Sequence, residues 1–459
     1  MLSQKKKHIH CIGIGGIGVS ALAELLLARG YCVSGSDISA SANTKRLQQL
    51  GIDVAIGHRA ENINGADSII YSSAITRTNP ELVAAEQRQI ALLSRGAALA
   101  NFVNHYQSIA VAGTHGKTTT TSMIAHLLVS AGLDPSYVIG GILNNQSSPV
   151  QLGAGKYFVV EVDESDASFL YMQPTYSVVT NIDVDHLEAY DNNFANLRNS
   201  FLQFLAKIPA EGKAYLCMDD PVIRELLPEV NGPVTTYGFH EAAEVRALDY
   251  RALGMTSEFN VVFNDENECI PIRLNVPGRH NAQNVLAAIA LAKSFGVTAE
   301  KIQRALAVFP GVGRRFHGHG QMRLANGSAT LIEDYGHHPR EIKVTIDAAK
   351  SVWPERRVVL VFQPHRYTRT RDLYVEFVDV LSRVDKLFLL DIYSAGEEPL
   401  DNISSLQLCE AIAKHACAPP VYVPDLTLLP NTLFVQLQDN DVVILQGAGS
   451  VGSIAKQLM

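Results

Sequence analysis

Several things are scarce in this chain of 459 residues. Its six cysteines, Cys11, Cys32, Cys217, Cys269, Cys409 and Cys417, contain no C-x-x-C pair, so neither a zinc ribbon nor a disulfide framework is suggested and buried thiols are expected. No apolar run approaches the ~18–20 residues of a membrane span, so no bilayer-crossing segment is expected. Basic residues are not in excess. With 38 Lys+Arg against 46 Asp+Glu the formal net charge is -8, which argues against a nucleic-acid polymer as partner. The start, "MLSQKKKHIHCIGIGG", is positively charged, but glycines interrupt its apolar residues and no small-residue cleavage site follows, so a cytoplasmic protein is expected. Low-complexity tracts and short repeats are also missing.

What remains is the composition of an ordinary globular protein, 47% hydrophobic and 18% charged. The length exceeds what one hydrophobic core organises and predicts about three domains. β-Branched runs alternate with helical patterns, so the fold class is α/β, with parallel sheets covered by helices on both faces. Periodicity lapses near Ser94–Gln107 and again near Pro310–Gly320. The expected domains are therefore residues 1–106, 107–309 and 310–459.

The first domain opens with "HIHCIGIGGIGVSALAELLLARGYCVSGSD", a strand, glycine turn, helix, strand and acidic residue. Gly13, Gly15 and Gly18 satisfy G-x-G-x-x-G, and Asp37 lies near the distance at which dinucleotide enzymes hold a ribose hydroxyl. Such a turn suits any diphosphate, because glycines admit its oxygens and the helix start directs free N–H groups at them. A tight turn with no ligand is the plainer alternative. A similar triplet near the end, Gly447, Gly449 and Gly452, has too little chain after it for a βαβ unit, and reads as a turn.

The second domain begins "SIAVAGTHGKTTTTSM", a strand near Ser108–Ala112 and a helix from about Lys117. This is a shortened phosphate loop, with Val111 where the common form has its first glycine. Gly113 and Gly116 let backbone N–H groups wrap a phosphate, Lys117 reaches its outer oxygens, and the Thr118 hydroxyl suits Mg²⁺. Four consecutive threonines are poor helix formers, which weighs against a purely structural origin. Two strand-like runs then end in acidic groups. "KYFVVEVDESD" presents Glu161, Asp163, Glu164 and Asp166, and "YSVVTNIDVDHLE" presents Asn181, Asp183, Asp185, His186 and Glu188. Parallel strands carry ligands at their C-terminal ends, so a metal–nucleotide site is expected there, with solvated acidic turns as the alternative. His280, Asn281 and Asn284 mark a helix start, where they either meet a ligand or cap the helix. In the last domain "GRRF", "EDYGHHP" and "FQPHRYTRTR" concentrate Arg, His and acidic groups, and arginine matches phosphate and carboxylate with paired hydrogen bonds.

In order, "HCIGIGGIGVSALAE", "SGSD", "SSAI", "AVAGTHGKTTTT", "EVDESDASFL", "TNIDVDHLEAY", "VPGRHNAQN", "GRRF", "DYGHHP" and "FQPHRYTRTRDL" resemble the Mur ligase family of bacterial cell-wall synthesis over nearly the whole chain. Within it, "GIGGIG" favours the branch that adds alanine. The resemblance implies a Rossmann-like first domain for the UDP-sugar, a central ATPase domain of P-loop type, and a Rossmann-like C-terminal domain that closes over ATP and the amino acid. It implies ATP and Mg²⁺ as cofactors, and UDP-N-acetylmuramate and L-alanine as small-molecule partners of a monomer or weak homodimer, with neither nucleic acid nor membrane bound. Gly13, Gly15, Gly16, Gly18, Ser36, Asp37 and Ser73 would hold the UDP-sugar. Gly113, Thr114, His115, Gly116, Lys117, Thr118, Thr119, His280, Asn281, Asn284 and Arg315 would bind ATP. Thr118, Glu161 and His186 match the metal positions. Lys117, His186, His337, His365 and Arg366 match catalytic ones, while Asp334, His338 and Arg369 fall on the acyl-phosphate and amino-acid side. Several relatives carry a lysine soon after the "DH" pair that becomes carbamylated. None stands between Leu187 and Leu205, so no carbamyl-lysine is expected. Two other readings compete: an NAD-dependent oxidoreductase, which leaves "GTHGKTTTT" unexplained, and a nucleotide switch without acyl chemistry.

Overall fold

A computed structural model describes residues 7–185, 187–264 and 266–459. The protein is a three-domain α/β structure organised by three sheets. By compactness the chain forms two units, one of Met1–Leu248, Asn260–Ile272 and Gln283–Phe309, the other of Asp249–Phe259, Arg273–Ala282 and Pro310–Met459.

The first sheet contains β1 (His8–Ile12), β2 (Cys32–Asp37), β3 (Asp53–Ile56), β4 (Ser68–Tyr71) and β5 (Ala91–Ser94), in the order β3-β2-β1-β4-β5. Every neighbouring pair is parallel. Strand order reverses at β1, where ligands of open α/β sheets bind. The glycine turn leaves β1 there and enters a helix, Ile17–Ala28.

In the middle sheet the strands are β6 (Gln107–Ala112), β7 (Ser136–Val138), β8 (Val150–Gln151), β9 (Tyr157–Glu161), β10 (Tyr176–Val179), β11 (Lys213–Cys217), β12 (Val234–Gly238), β13 (Val245–Leu253), β14 (Thr256–Phe263) and β15 (Glu266–Leu274). Their order is β15-β14-β13-β12-β11-β10-β6-β9-β7-β8. The phosphate-loop strand β6 lies between β9 and β10 and runs parallel to both. Val111 pairs in register with Glu161, and Ala112 with Val179. The loop and both acidic turns therefore leave one edge of the sheet side by side. The sheet is not wholly parallel as expected, since β7 and β8 are antiparallel. The long strands β13–β15 were not foreseen either, because their alternating polar residues lack the apolar run of a buried parallel strand.

β16 (His317–Leu324), β17 (Gly327–Asp334), β18 (Val358–Phe362), β19 (Lys386–Leu390), β20 (Val421–Val423) and β21 (Val442–Gln446) form the third sheet, in the order β16-β17-β21-β18-β19-β20. The β16–β17 pair is an antiparallel hairpin and the other pairs are parallel. Alternation along β18 shows why both faces are covered. Val358, Leu360 and Phe362 enter one core with Ile342, Ile346 and Phe377, while Val359 and Val361 enter another with Leu429, Leu433 and Val451. A strand apolar on both faces reads as a continuous "VVLVF", which is how its burial was legible. The Gly447–Gly452 segment follows β21, and the Arg314 guanidinium donates to the Gly447 carbonyl at 2.9 Å. Phe362 is fully buried at the centre of its core. Phe362→Ala is expected to cost about 3–5 kcal/mol, read as a lower urea midpoint for unfolding of this unit.

Candidate active site

The glycine turn of the first domain is held from below by β2. The N–H groups of Gly13 and Ile14 donate to the Ser36 carbonyl at 2.8 and 3.0 Å. Gly15 N–H donates to Asp37 Oδ2 at 2.8 Å, and Asn43 donates to the Gly15 carbonyl at 2.8 Å. Ser36 and Asp37, expected to face the UDP-sugar, thus do part of their work inside the protein: the buried Ser36 hydroxyl donates to Glu81 Oε2 at 2.5 Å. Gly16 caps the following helix, and Ser73 lies exposed in the turn after β4. Gly18 is where a residue missed by the sequence reading enters. Arg95 packs so closely that a Cβ on Gly18 would stand 2.8 Å from its Cδ, and its guanidinium reaches Asp163 at 3.4 Å and Asp166 at 3.6 Å. Arg95 lies where periodicity lapses and no motif surrounds it, so sequence carried no signal for it.

In the central domain the loop turns at once after β6. Gly113 has φ 129°, and a Cβ there would lie 2.2 Å from Thr180 Oγ1. Gly116, at φ 81°, is the left-handed N-cap of helix Lys117–Ser130, with Asn284 packed against it. Adjacent strand ends hold the loop between them. Thr114 N–H donates to the Asn181 carbonyl at 3.1 Å, His115 N–H to Asn181 Oδ1 at 2.8 Å, and the Thr180 hydroxyl to the His115 carbonyl at 2.6 Å. The His115 ring lies 3.1 Å from Asp183. The threonine run is helical despite its poor propensity because it is packed and bonded back: Thr120 and Thr121 are fully buried, and the Thr121 hydroxyl donates to the Lys117 carbonyl at 2.8 Å. Thr119 is half-buried on the first turn.

Lys117 donates to the carbonyls of Gly113 and Thr114 at 2.6 and 3.1 Å and to both oxygens of Glu164 at 3.0 and 2.8 Å. Burial pulls the lysine's pKa down, but Glu164, Asp163 and Glu161 outweigh it and hold the ammonium above its usual range. Burial moves the Glu164 carboxyl upward, against the pull of Lys117. Burial also raises Asp163, but Lys117, Ser165 and Arg95 more than reverse it. The Tyr190 hydroxyl donates to the Glu164 carbonyl oxygen, so the acidic turn is anchored from the next strand's loop as well. Beside this pair, Thr118 Oγ1 donates to Glu161 Oε1 at 3.0 Å, and Glu161 Oε2 accepts from Gly140 N–H at 2.8 Å. A hydroxyl and a carboxylate at the head of a phosphate-binding helix are the hard oxygen donors that Mg²⁺ takes, so Thr118 and Glu161 fit that ion. His186 lies outside the described residues.

The second unit gathers the remaining candidates. The His280 ring packs on Gly278 in the first turn of helix Arg279–Ser294, where the Asn281 amide donates to the Pro277 carbonyl at 2.7 Å instead of capping a helix N–H. Burial, with a smaller contribution from Arg315, pushes His280 down to about 4 and keeps its imidazole neutral at physiological pH. The Arg315 guanidinium lies over the Tyr335 ring, 5.0 Å from its centre. His337 and His338 precede helix Pro339–Val352, which begins as a capping box: both backbone N–H groups donate to Glu341 Oε2, at 2.9 and 3.1 Å. Glu341 was missed, although Pro at the first helical position and Glu two residues later are a legible helix start. The rings of His337 and His365 are 5.6 Å apart, His365 stacks on Tyr393, and Arg369 Nη1 is 3.3 Å from His365 Nδ1. Arg366, at φ 73°, is 3.8 Å from Glu397. Asp334 is turned inward, accepting from the backbone of Phe316 and Gly336 at 2.9 and 2.8 Å and from Thr345 and Gln446 at 3.1 and 3.3 Å.

A phosphate loop flanked by acidic turns at the C-terminal ends of parallel strands is the arrangement of a nucleotide-binding α/β protein, and the chain belongs to the Mur ligase family. It matches the Mur ligase family, catalytic domain, over residues 8–107, the Mur ligase middle domain over 111–292, and the Mur ligase, glutamate ligase domain, over 314–449. UDP-N-acetylmuramate–L-alanine ligase of Coxiella burnetii is 50% identical over 452 residues, 98% of this chain and 97% of that protein. The crystal structure of UDP-N-acetylmuramate-alanine ligase from Thermotoga maritima superposes with a TM-score of 0.84 at 28% identity, covering 98% of both chains. A murein peptide ligase from Psychrobacter arcticus gives a TM-score of 0.74 at 25% identity over 98% of both chains.

Because His280 is depressed in the folded state, the unfolded chain binds its proton first on acidification. Its contribution to stability is present above the unfolded value near 6.5 and is lost as pH falls toward about 4. The thermal midpoint of His280→Gln should accordingly vary less than that of the wild type between those two pH values.

Proposed function

We propose that the protein is an ATP-dependent amide ligase that joins L-alanine to the lactyl carboxylate of UDP-N-acetylmuramate. The products are UDP-N-acetylmuramoyl-L-alanine, ADP and phosphate. The observation that carries the reading is the Lys117 loop, with Glu164, Thr118 and Glu161 about it, at the strand edge that receives the phosphates of a nucleotide. The relatives named for this activity share half the sequence over nearly all of the chain.

A carboxylate does not react usefully with an amine because oxide is a poor leaving group. The lactyl carboxylate therefore attacks the γ-phosphorus of ATP, ADP leaves, and an acyl phosphate forms. The alanine amine then attacks the acyl carbon, giving a tetrahedral intermediate that expels phosphate. No covalent bond to the enzyme is needed. Lys117 supplies positive charge to the transferring phosphoryl group, for which Gly113, Thr114, His115, Gly116 and Thr119 shape the loop. Thr118 and Glu161 would hold Mg²⁺, with His186 as a further ligand, and the ion offsets charge on the phosphate oxygens when bound. His280, Asn281, Asn284 and Arg315 are assigned to the nucleotide, and Gly13 to Gly18 with Asp37 and Ser73 to the UDP-sugar, the Ser36 carbonyl holding that turn from beneath. His337, His338 and His365, whose imidazoles suit proton transfer near neutral pH, are candidates to take the proton of the alanine ammonium. Arg366 and Arg369 suit an acyl phosphate or an amino-acid carboxylate, and Asp334 orders the end of β17.

We place the domain limits at 1–106, 107–309 and 310–459, and the enzyme in the cytoplasm as a monomer or weak homodimer. Among the described residues no helix is long and apolar enough to cross a membrane.

Phosphate release measured with ATP, the UDP-sugar and L-alanine, together and with each omitted, tests the reading. Dependence on all three is expected, whereas release without the UDP-sugar and alanine would indicate a nucleotide switch. Lys117→Ala should lower kcat by at least about 10²-fold while calorimetry still detects UDP-sugar binding. A variant with near-normal ADP release would overturn the role of Lys117.

A further inference from the structure

The first domain contains a carboxylate with no part in the chemistry above. Glu81 stands at the second position of helix Pro80–Gln87 and is 0% exposed. A buried carboxylate is costly unless it is paired and hydrogen-bonded, and here both oxygens are engaged. Oε2 accepts the Ser36 hydroxyl at 2.5 Å and lies 3.6 Å from His10 Nε2 and 3.5 Å from His58 Nδ1. Oε1 accepts the Asn62 amide at 2.5 Å and the Arg59 N–H at 3.3 Å. Burial raises the carboxyl's pKa, but His10, Ser36 and Asn62 more than reverse that and bring it down to about 2. The helix N-terminus favours the same anion.

These partners converge from separate elements: His10 from β1, Ser36 from the end of β2, and His58, Arg59 and Asn62 from the segment after β3. For stability alone, well-packed apolar residues serve as well as a buried polar cluster. What distinguishes this cluster is its link to the glycine turn. Ser36 faces two ways: its hydroxyl is fixed by Glu81, and its carbonyl receives the N–H groups of Gly13 and Ile14 at 2.8 and 3.0 Å. We infer that Glu81 is a positioning residue for the UDP-sugar, acting through Ser36 to hold the Gly13–Gly18 turn in the shape that receives the diphosphate. The inference rests on the functional reading above. It also gives the Ser36 hydroxyl a role other than direct contact with the sugar nucleotide.

Steady-state kinetics of the full-length enzyme, varying UDP-N-acetylmuramate, ATP and L-alanine in turn, tests this. Glu81→Gln and Ser36→Ala are each expected to raise KM for the UDP-sugar about tenfold, as loss of a hydrogen bond to a charged group does, with kcat and the KM values for ATP and alanine within about twofold. Because one residue acts through the other, the double variant should be no worse than the worse single variant. Additive effects, an unchanged KM for the UDP-sugar, or equal rises in all three KM values would overturn the inference. Ser36→Ala removes a single oxygen and carries the test if Glu81→Gln does not fold. Calorimetric binding of the UDP-sugar to wild type and Ser36→Ala reads the same difference without turnover. An inactive wild type would thus count against the ligase reading, while equal calorimetric affinities would count against the role of Glu81.

Discussion

Lys117 carries its positive charge at the first position of a helix, the end where the peptide dipoles already point positive and a cation is least welcome. Its surroundings make that tolerable. Two carbonyls of the loop turn inward to accept from its ammonium, and Glu164 meets it with both oxygens. The turn carrying Glu164 is held in place by Tyr190 and by its position on the strand next to the loop strand. The site is thus built around one charge that the loop carbonyls and Glu164 balance from several sides.

The carboxylates about the loop divide the work by position. Glu164 points at the ammonium, whereas Glu161, three residues earlier at the end of β9, takes the Thr118 hydroxyl and the Gly140 N–H and so presents oxygens suited to a hard cation. Asp163 turns the other way, toward Arg95, whose aliphatic stem covers Gly18 of the first domain's glycine turn. One short acidic run therefore touches the nucleotide loop, the expected metal position and the neighbouring domain. This follows from parallel geometry, which places the turns after β6, β9 and β10 on one edge.

Several expected ligand groups are occupied by the protein itself. The Ser36 hydroxyl is committed to an internal acceptor, Glu81, and the Asp37 and Asp334 oxygens to internal donors. These side chains thus also order the turns in which they stand. Glu81 and Arg95 went unnoticed in the sequence because isolated charged residues outside glycine or histidine motifs look like solvated surface. Only packing shows a fully buried carboxylate at Glu81 and an arginine laid over Gly18 at Arg95.

By itself the sequence determined the class of fold, the three sheets and the elements that carry chemistry. Apolar runs such as "VVLVF", glycines before helices, and acidic residues at strand ends are local patterns, and local patterns follow from backbone geometry and from which faces must be dry. Tertiary structure alone decided strand order, the long β13–β15 extension, and which charges meet. Pairing between β6, β9 and β10 depends on how separate segments stack, and a charged side chain's role depends on what burial leaves beside it. Neither is written in the spacing of residues along the chain.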